Sequence, residues 1–372
     1  MSASISLAAG DYGSYGGGLS GVVLSDSAAI KQQLDTLTDQ AGSGLIASTY
    51  AGLGNGASTA LALSPTIADQ QTWQNNIGAA SGQMQVSQNA LSQISSIASN
   101  FYAQIPNLNG LDPSEVDSIA TDAQSALQQV ASLLDESDGG TYVFAGQDSA
   151  NPPVPAPNNI LNSGFYTQIQ QAVAGLSANG GAATTAATLA IASSNAAGTS
   201  PFSTALSQPA IALAGFLPTI STGPGEQATV GILASANASA PSQGVPATST
   251  GSYMRDILCS LATLGSLSSS QIGDAGFAQV VSNVGVSLGG AITALNQDAG
   301  DLGNQQTALQ TQSTGIADAS TAMQAQLSGA QSVDMASTLS QLTQTQTRLQ
   351  ASYELIAGLQ SMSLIKFLPV GS

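Results

Sequence analysis

Chemistry in this chain would have to start at Cys259, at the acidic cluster Asp135, Glu136 and Asp138, or at the glycine-rich run GLGNG of residues 52–56. A nucleophilic cysteine needs a base or a positive neighbour to become a thiolate. The chain has no His, and the base nearest Cys259 is Arg255, one helical turn away, so a buried, inert thiol is expected. Three carboxylates attract divalent cations, but the ordered ligand positions of a calcium loop are missing around Asp138; the cluster reads as the solvated end of a helix. GLGNG has no clear strand before it and no Lys after it, and reads as a loop rather than a phosphate cradle. Trp73 shares a heptad seam with Ala80, Ser87, Ile94 and Phe101, which points to core packing rather than a ligand platform. No nucleophile with its base and no metal cluster can be assembled, so neither an enzyme nor a cofactor carrier is expected.

The regular spacing in this chain is apolar instead. Between Val333 and Leu368, Met335, Leu342, Leu349 and Ile356 recur every seven residues, and Leu339, Tyr353 and Phe367 occupy a companion seam that Gln346 and Gln360 interrupt. Such a pattern belongs to a helix that supercoils with another, and with Leu368 it makes the C-terminal segment a candidate polymerisation helix. Candidate partners lie near the other end. Ile30, Leu34, Leu37 and Ala41 keep helical spacing, with Ser25 or Asp26 as N-cap. Ile77, Met84, Leu91, Ala98 and Ile105 then recur every seven, in a helix about 55 Å long. Asp112-Pro113 starts a third helix whose Val116, Ile119, Ala123, Leu127, Val130 and Leu134 share a face. The longest repeat runs Val281, Leu288, Leu295, Leu302, Leu309, Ile316, Met323, in a helix of roughly 80 Å. The glycines within it, Gly289, Gly290, Gly300, Gly303 and Gly315, lower its intrinsic helix preference.

Composition excludes several roles. Only 7% of the 372 residues are charged, with 21 acids against four bases and a net charge of -17. Nucleic acid needs clustered Lys or Arg, and an anionic membrane surface needs the same. No run is expected to supply the roughly 18 to 20 apolar residues of a membrane span, and the first 21 residues lack the basic start and apolar block of a cleaved secretory signal. Gln, Ser, Thr and Asn carry the polar burden, so packing and amide hydrogen bonds, not ion pairs, must hold the helices.

The order of elements gives a layout. Residues 1–25 read as a flexible segment, 26–146 as an N-terminal helical core, 147–250 as an inserted outer domain, 251–330 as a C-terminal helical core and 331–372 as the polymerisation helix. The insert contains Asp148 and Glu226 as its only charges. It reads as mixed, with substantial β structure: Thr188 to Ala192 and Ala228 to Ala234 have strand character, and Gly164 to Leu176 a short helix. The fold class is therefore mainly α, an antiparallel helical rod of N- and C-terminal segments carrying the inserted domain at one end.

Several stretches resemble one family. LQASY (Leu349 to Tyr353), SLIKFL (Ser363 to Leu368), SVDMA (Ser332 to Ala336), YVFAG (Tyr142 to Gly146) and WQNNIGAASGQMQVSQNALSQI together resemble the terminal regions of the flagellin superfamily, and within it the hook–filament junction proteins (flagellar hook-associated protein 3). The family's basic opening and its Asp-Asp-Pro element after the first helix have no counterpart in AGSGLIASTYAGLGNG. The resemblance implies an extracellular structural subunit of the bacterial flagellum, exported by the flagellar type III route without a cleaved signal. Its implied partners are further copies of itself, hook-associated protein 1, flagellin and an export chaperone. Junction protein is the first reading and filament flagellin the alternative. A secreted rod-like adhesin or effector is more remote.

Overall fold

The structure, a computed structural model, describes residues 15–108, 112–237 and 247–361. It is mainly helical. The helices are α1 (Tyr15–Ser43), α2 (Ala57–Leu108), α3 (Pro113–Leu134), α4 (Gly164–Ala174), α5 (Leu176–Ser193), α6 (Ala210–Leu213), α7 (Tyr253–Leu264), α8 (Phe277–Gln331) and α9 (Met335–Ser361). Two antiparallel hairpins, β1 (Ser137–Asp138) with β2 (Thr141–Tyr142) and β3 (Thr219–Gly223) with β4 (Glu226–Thr229), supply the strands. The chain divides into two compact units: residues 1–69 with 319–372, and residues 70–318.

In the first unit α1 packs along α9. The pairing is antiparallel. Leu45 bridges Ser332, Ile46 N–H donates to the Gln331 carbonyl at 2.7 Å, and Val333 N–H donates to the Gly44 carbonyl at 3.0 Å. Gly44 makes that junction with φ of 72°, a left-handed conformation that glycine adopts without strain. The sequence predicts helix only from Asp26, yet α1 begins at Tyr15. Ser25 is not a cap: its hydroxyl donates back to the Val22 carbonyl at 2.8 Å, as a serine inside a helix does. The expected looseness of residues 1–14 falls outside the described residues.

The second unit has its core where α2, α3, α7 and α8 contribute apolar faces. Ile77, Met84, Leu91, Ala98 and Ile105 of α2 are all buried, as are Val281, Leu288, Leu295, Leu302 and Leu309 of α8. The two helices run antiparallel and are tied by neutral groups: the Ser95 hydroxyl donates to Asn296 Oδ1 at 2.9 Å, and the Gln306 amide reaches the Ser81 carbonyl at 3.3 Å. The glycines of α8 are not only a weakness. A Cβ at Gly285 would stand 3.2 Å from Ile105, and one at Gly303 3.1 Å from the Gln88 amide, so at these two levels glycine allows α2 its close approach. One 18-residue window of α8 reaches a mean hydropathy of 1.3, long and apolar enough to cross a membrane by composition alone. That modifies the expectation from the sequence, and the buried heptad positions give the window a core to fill.

Asp112 caps α3 by accepting from Ser114 N–H at 2.9 Å, with Pro113 in the first turn. The apolar face of α3 packs on α7, every residue of which is buried. The glycine pair Gly139-Gly140, with φ of 57° and 83°, turns β1 into β2, after which Phe144 is wholly buried.

The segment 147–237 departs from its expected character. Thr188 to Ala192 lies inside α5, where the surrounding Ala-rich sequence favours helix over the β-branched signal. Ala228 to Ala234 is strand only at its start. α4 matches the short helix expected there. Nor is the segment confined to one end of the unit: the Asn76 amide on α2 donates to the Ser221 carbonyl at 3.3 Å, and the Gln312 amide on α8 to the Thr222 carbonyl at 3.1 Å. The β3–β4 hairpin thus lies back against both long helices.

Candidate self-assembly face

Asp334 sets the start of α9. Its carboxylate accepts from Ala336 N–H at 3.0 Å and Ser337 N–H at 3.2 Å, an N-cap placed in the SVDMA run. From there two sets of residues face α1. Leu342, Leu349 and Ile356 are half-buried, and their companions are Thr338, Thr345 and Ser352, all buried and seven apart. Opposite them α1 offers Leu37 and Ser27, both buried, with half-buried Ile30 and Leu34. The hydroxyls of Ser27 and Ser352 meet in a short hydrogen bond.

The companion seam read from the sequence lies elsewhere. Leu339 is 50% exposed and Tyr353 53%, with Gln346 exposed between them. Small hydroxyl residues take the inner position instead, and the last of them, Ser352, meets Ser27 of α1. The signal was present as the seven-residue spacing of Thr338, Thr345 and Ser352, which apolar periodicity alone passes over. Met335 and Leu355 are also exposed, the latter at 63%. Of the remaining candidates, Ile77, Met84 and Leu91 are buried inside the second unit, whereas Phe367 and Leu368 lie outside the described residues.

The first unit has little core of its own. Its buried apolar residues among those described are Leu37, Leu53, Ala60 and Ile67. Val22, Leu45, Tyr50, Leu61, Met335 and Leu339 are turned to solvent, together with Tyr353 and Leu355. A helix pair that buries hydroxyls and exposes large apolar side chains has the surface of a subunit.

The groups with chemical potential sit differently. Cys259 is buried, and burial first, then the Asp256 carboxylate, pushes its thiol up to about 12, which makes it unreactive at neutral pH. Arg255 is buried as well. Its guanidinium donates to the carbonyls of Ala192 at 2.8 Å and Ser235 at 3.2 Å and to Asn195 Oδ1 at 2.7 Å, and lies 5.1 Å from the Phe202 ring centre. Asp256, fully buried, accepts from the Ser249 hydroxyl and from Thr250 N–H, each at 2.6 Å. These two charges hold loops of the second unit in place. Asp135 ends α3 and accepts from Val154 N–H at 2.8 Å; burial nevertheless pushes its carboxyl up to about 6. Trp73 is half-buried, and GLGNG forms a 3-10 turn with Leu53 buried. Among the described residues no group of three or more His, Cys, Asp or Glu is placed to hold a metal.

No curated protein matches the chain. Residues 286–368, which take in most of α8 and all of α9, match the bacterial flagellin C-terminal helical region.

Proposed function

We propose that this chain is an axial subunit of the bacterial flagellum, of the hook–filament junction type, built into the structure through α1 and α9. The observation that carries the proposal is the set of large apolar side chains that α9 leaves open to solvent, Leu339 at 50%, Tyr353 at 53% and Leu355 at 63%, within the segment that matches the bacterial flagellin C-terminal helical region. The function is mechanical: subunits bind one another by covering these side chains. Adjacent copies, hook-associated protein 1 and flagellin are the proposed contacts outside the cell, reached by type III export with the help of a chaperone. Filament flagellin is the second reading, and the match to the flagellin C-terminal helical region fits both equally.

Copy number separates the two. Quantitative mass spectrometry of isolated flagella is expected to find this chain at a few copies per filament, and thousands of copies would instead make it the filament subunit. Absence from isolated flagella would refute both. Removing residues 333–372 is expected to leave residues 70–318 folded but α1 without its partner helix, and the protein is expected not to enter flagella.

A further inference from the structure

A serine or threonine inside a helix commonly turns its hydroxyl to the carbonyl about one turn back. Around the junction of α5, α7 and α8 several do so: Thr263 donates to the Cys259 carbonyl at 2.7 Å, Ser266 to the Ala262 carbonyl at 2.7 Å and Thr188 to the Thr185 carbonyl at 3.0 Å. Two serines depart from this habit. Ser260 on α7 and Ser287 on α8 are only 2% and 8% exposed, and no hydrogen bond joins either hydroxyl to another described residue.

Both serines belong to the wall of one small cavity, about 20 Å³ in volume, which Thr185, Thr188, Thr263 and Asn283 also line. About 10–15 Å³ is room enough for one water molecule. A buried hydroxyl left without a partner costs the fold its lost hydration, and the wall holds what a water needs. Thr188 and Thr263 have given their protons to carbonyls of their own helices, so their hydroxyl oxygens are left to accept. The Thr185 hydroxyl oxygen is already engaged, accepting from Asn283 Nδ2 at 3.0 Å.

We propose that one ordered water molecule is a resident ligand of this cavity. It accepts from the hydroxyls of Ser260 and Ser287 and donates to the hydroxyl oxygens of Thr188 and Thr263, so the protons offered and the oxygens waiting for them balance. The water joins three helices. Asn283 ties α8 to α5 directly, and the water extends that tie to α7 through a bridge nearly as good as a direct hydrogen bond. It thereby fastens α5, which belongs to the inserted segment, to the core helices on either side of it. The inference concerns residues 70–318 alone and does not depend on the assembly reading.

The test uses the full chain carrying Ser260→Ala with Ser287→Ala, for which a hydrated and a dry cavity demand opposite signs. With the water in place the double variant deprives it of both donors, and the Tm of residues 70–318 is expected to fall by about 4 °C. In a dry cavity the same change would remove two unsatisfied hydroxyls, and the Tm would rise. A crystal structure of the wild-type chain, at a resolution that shows ordered water, is expected to place one water oxygen within hydrogen-bond distance of both serine hydroxyls. An empty cavity in that structure, or a double variant whose Tm is unchanged or higher, overturns the proposal.

Discussion

Exposed and half-buried residues of α9 are expected to fail in different ways when replaced. Take Leu339→Ser with Tyr353→Ser. Both side chains stand about half open in the single chain, at 50% and 53%, so the monomer has little to lose. Full burial of such a side chain is worth about 1.5 to 3 kcal/mol; covering the open half in an assembly is worth about 1 kcal/mol for each. The double variant should therefore cost about 2 kcal/mol per subunit contact, or roughly thirtyfold in critical concentration. Its thermal unfolding should stay within about 2 °C of wild type. Leu349→Ala is the contrast, since Leu349 faces α1 and its loss should destabilise the first unit by about 1 to 2 kcal/mol. Sedimentation of polymer and calorimetry of monomer, run on both variants, separate the effects. A double variant that assembles at the wild-type concentration would show that the outward stripe is idle surface, and a collapse of its monomer stability would show that the stripe belongs to the fold.

Two further outcomes concern the second unit. Gly300→Ala has nothing within 4 Å of the new Cβ, whereas at Gly285 the buried Ile105 stands 3.2 Å away; urea unfolding should report a gain of about 0.8 to 1 kcal/mol for the first and a loss for the second. Asp135 has its folded pKa raised to about 6 from an unfolded 3.8, so its contribution is fully present below about pH 4 and is lost as the pH rises through 6. Asp135→Asn keeps an oxygen for Val154 N–H and should be more stable than wild type at pH 7, by about 1 kcal/mol after allowance for partial solvent screening. At pH 4 the two proteins should unfold alike, and an equal gain at both pH values would refute the electrostatic cause.

The long helices were legible because their apolar residues repeat: Ile77 to Ile105 and Val281 to Leu309 fall into the core as their spacing requires. The cap at Asp112 was legible from its neighbour Pro113. What escaped was decided by tertiary contact. The inner companion seam of α9 is made of Thr338, Thr345 and Ser352, and a hydroxyl earns its place there only through a partner such as Ser27 on a helix more than 300 residues away. Thr188 to Ala192 has the composition of a strand but lies within a helix packed against α4 and α7. The bracing of the second unit by Arg255 likewise depends on carbonyls at Ala192, Ser194 and Ser235, which no local pattern announces.

The ties between α2 and α8 are hydroxyls and amides such as Ser95 to Asn296 and Gln306 to Ser81. Groups of this kind neither titrate near neutral pH nor lose their attraction to dissolved ions. Fresh water and brine, mild acid and mild alkali therefore leave that pairing alike. In the proposed flagellar role, outside the cell where no homeostasis protects a part, uncharged fastenings confer indifference to weather.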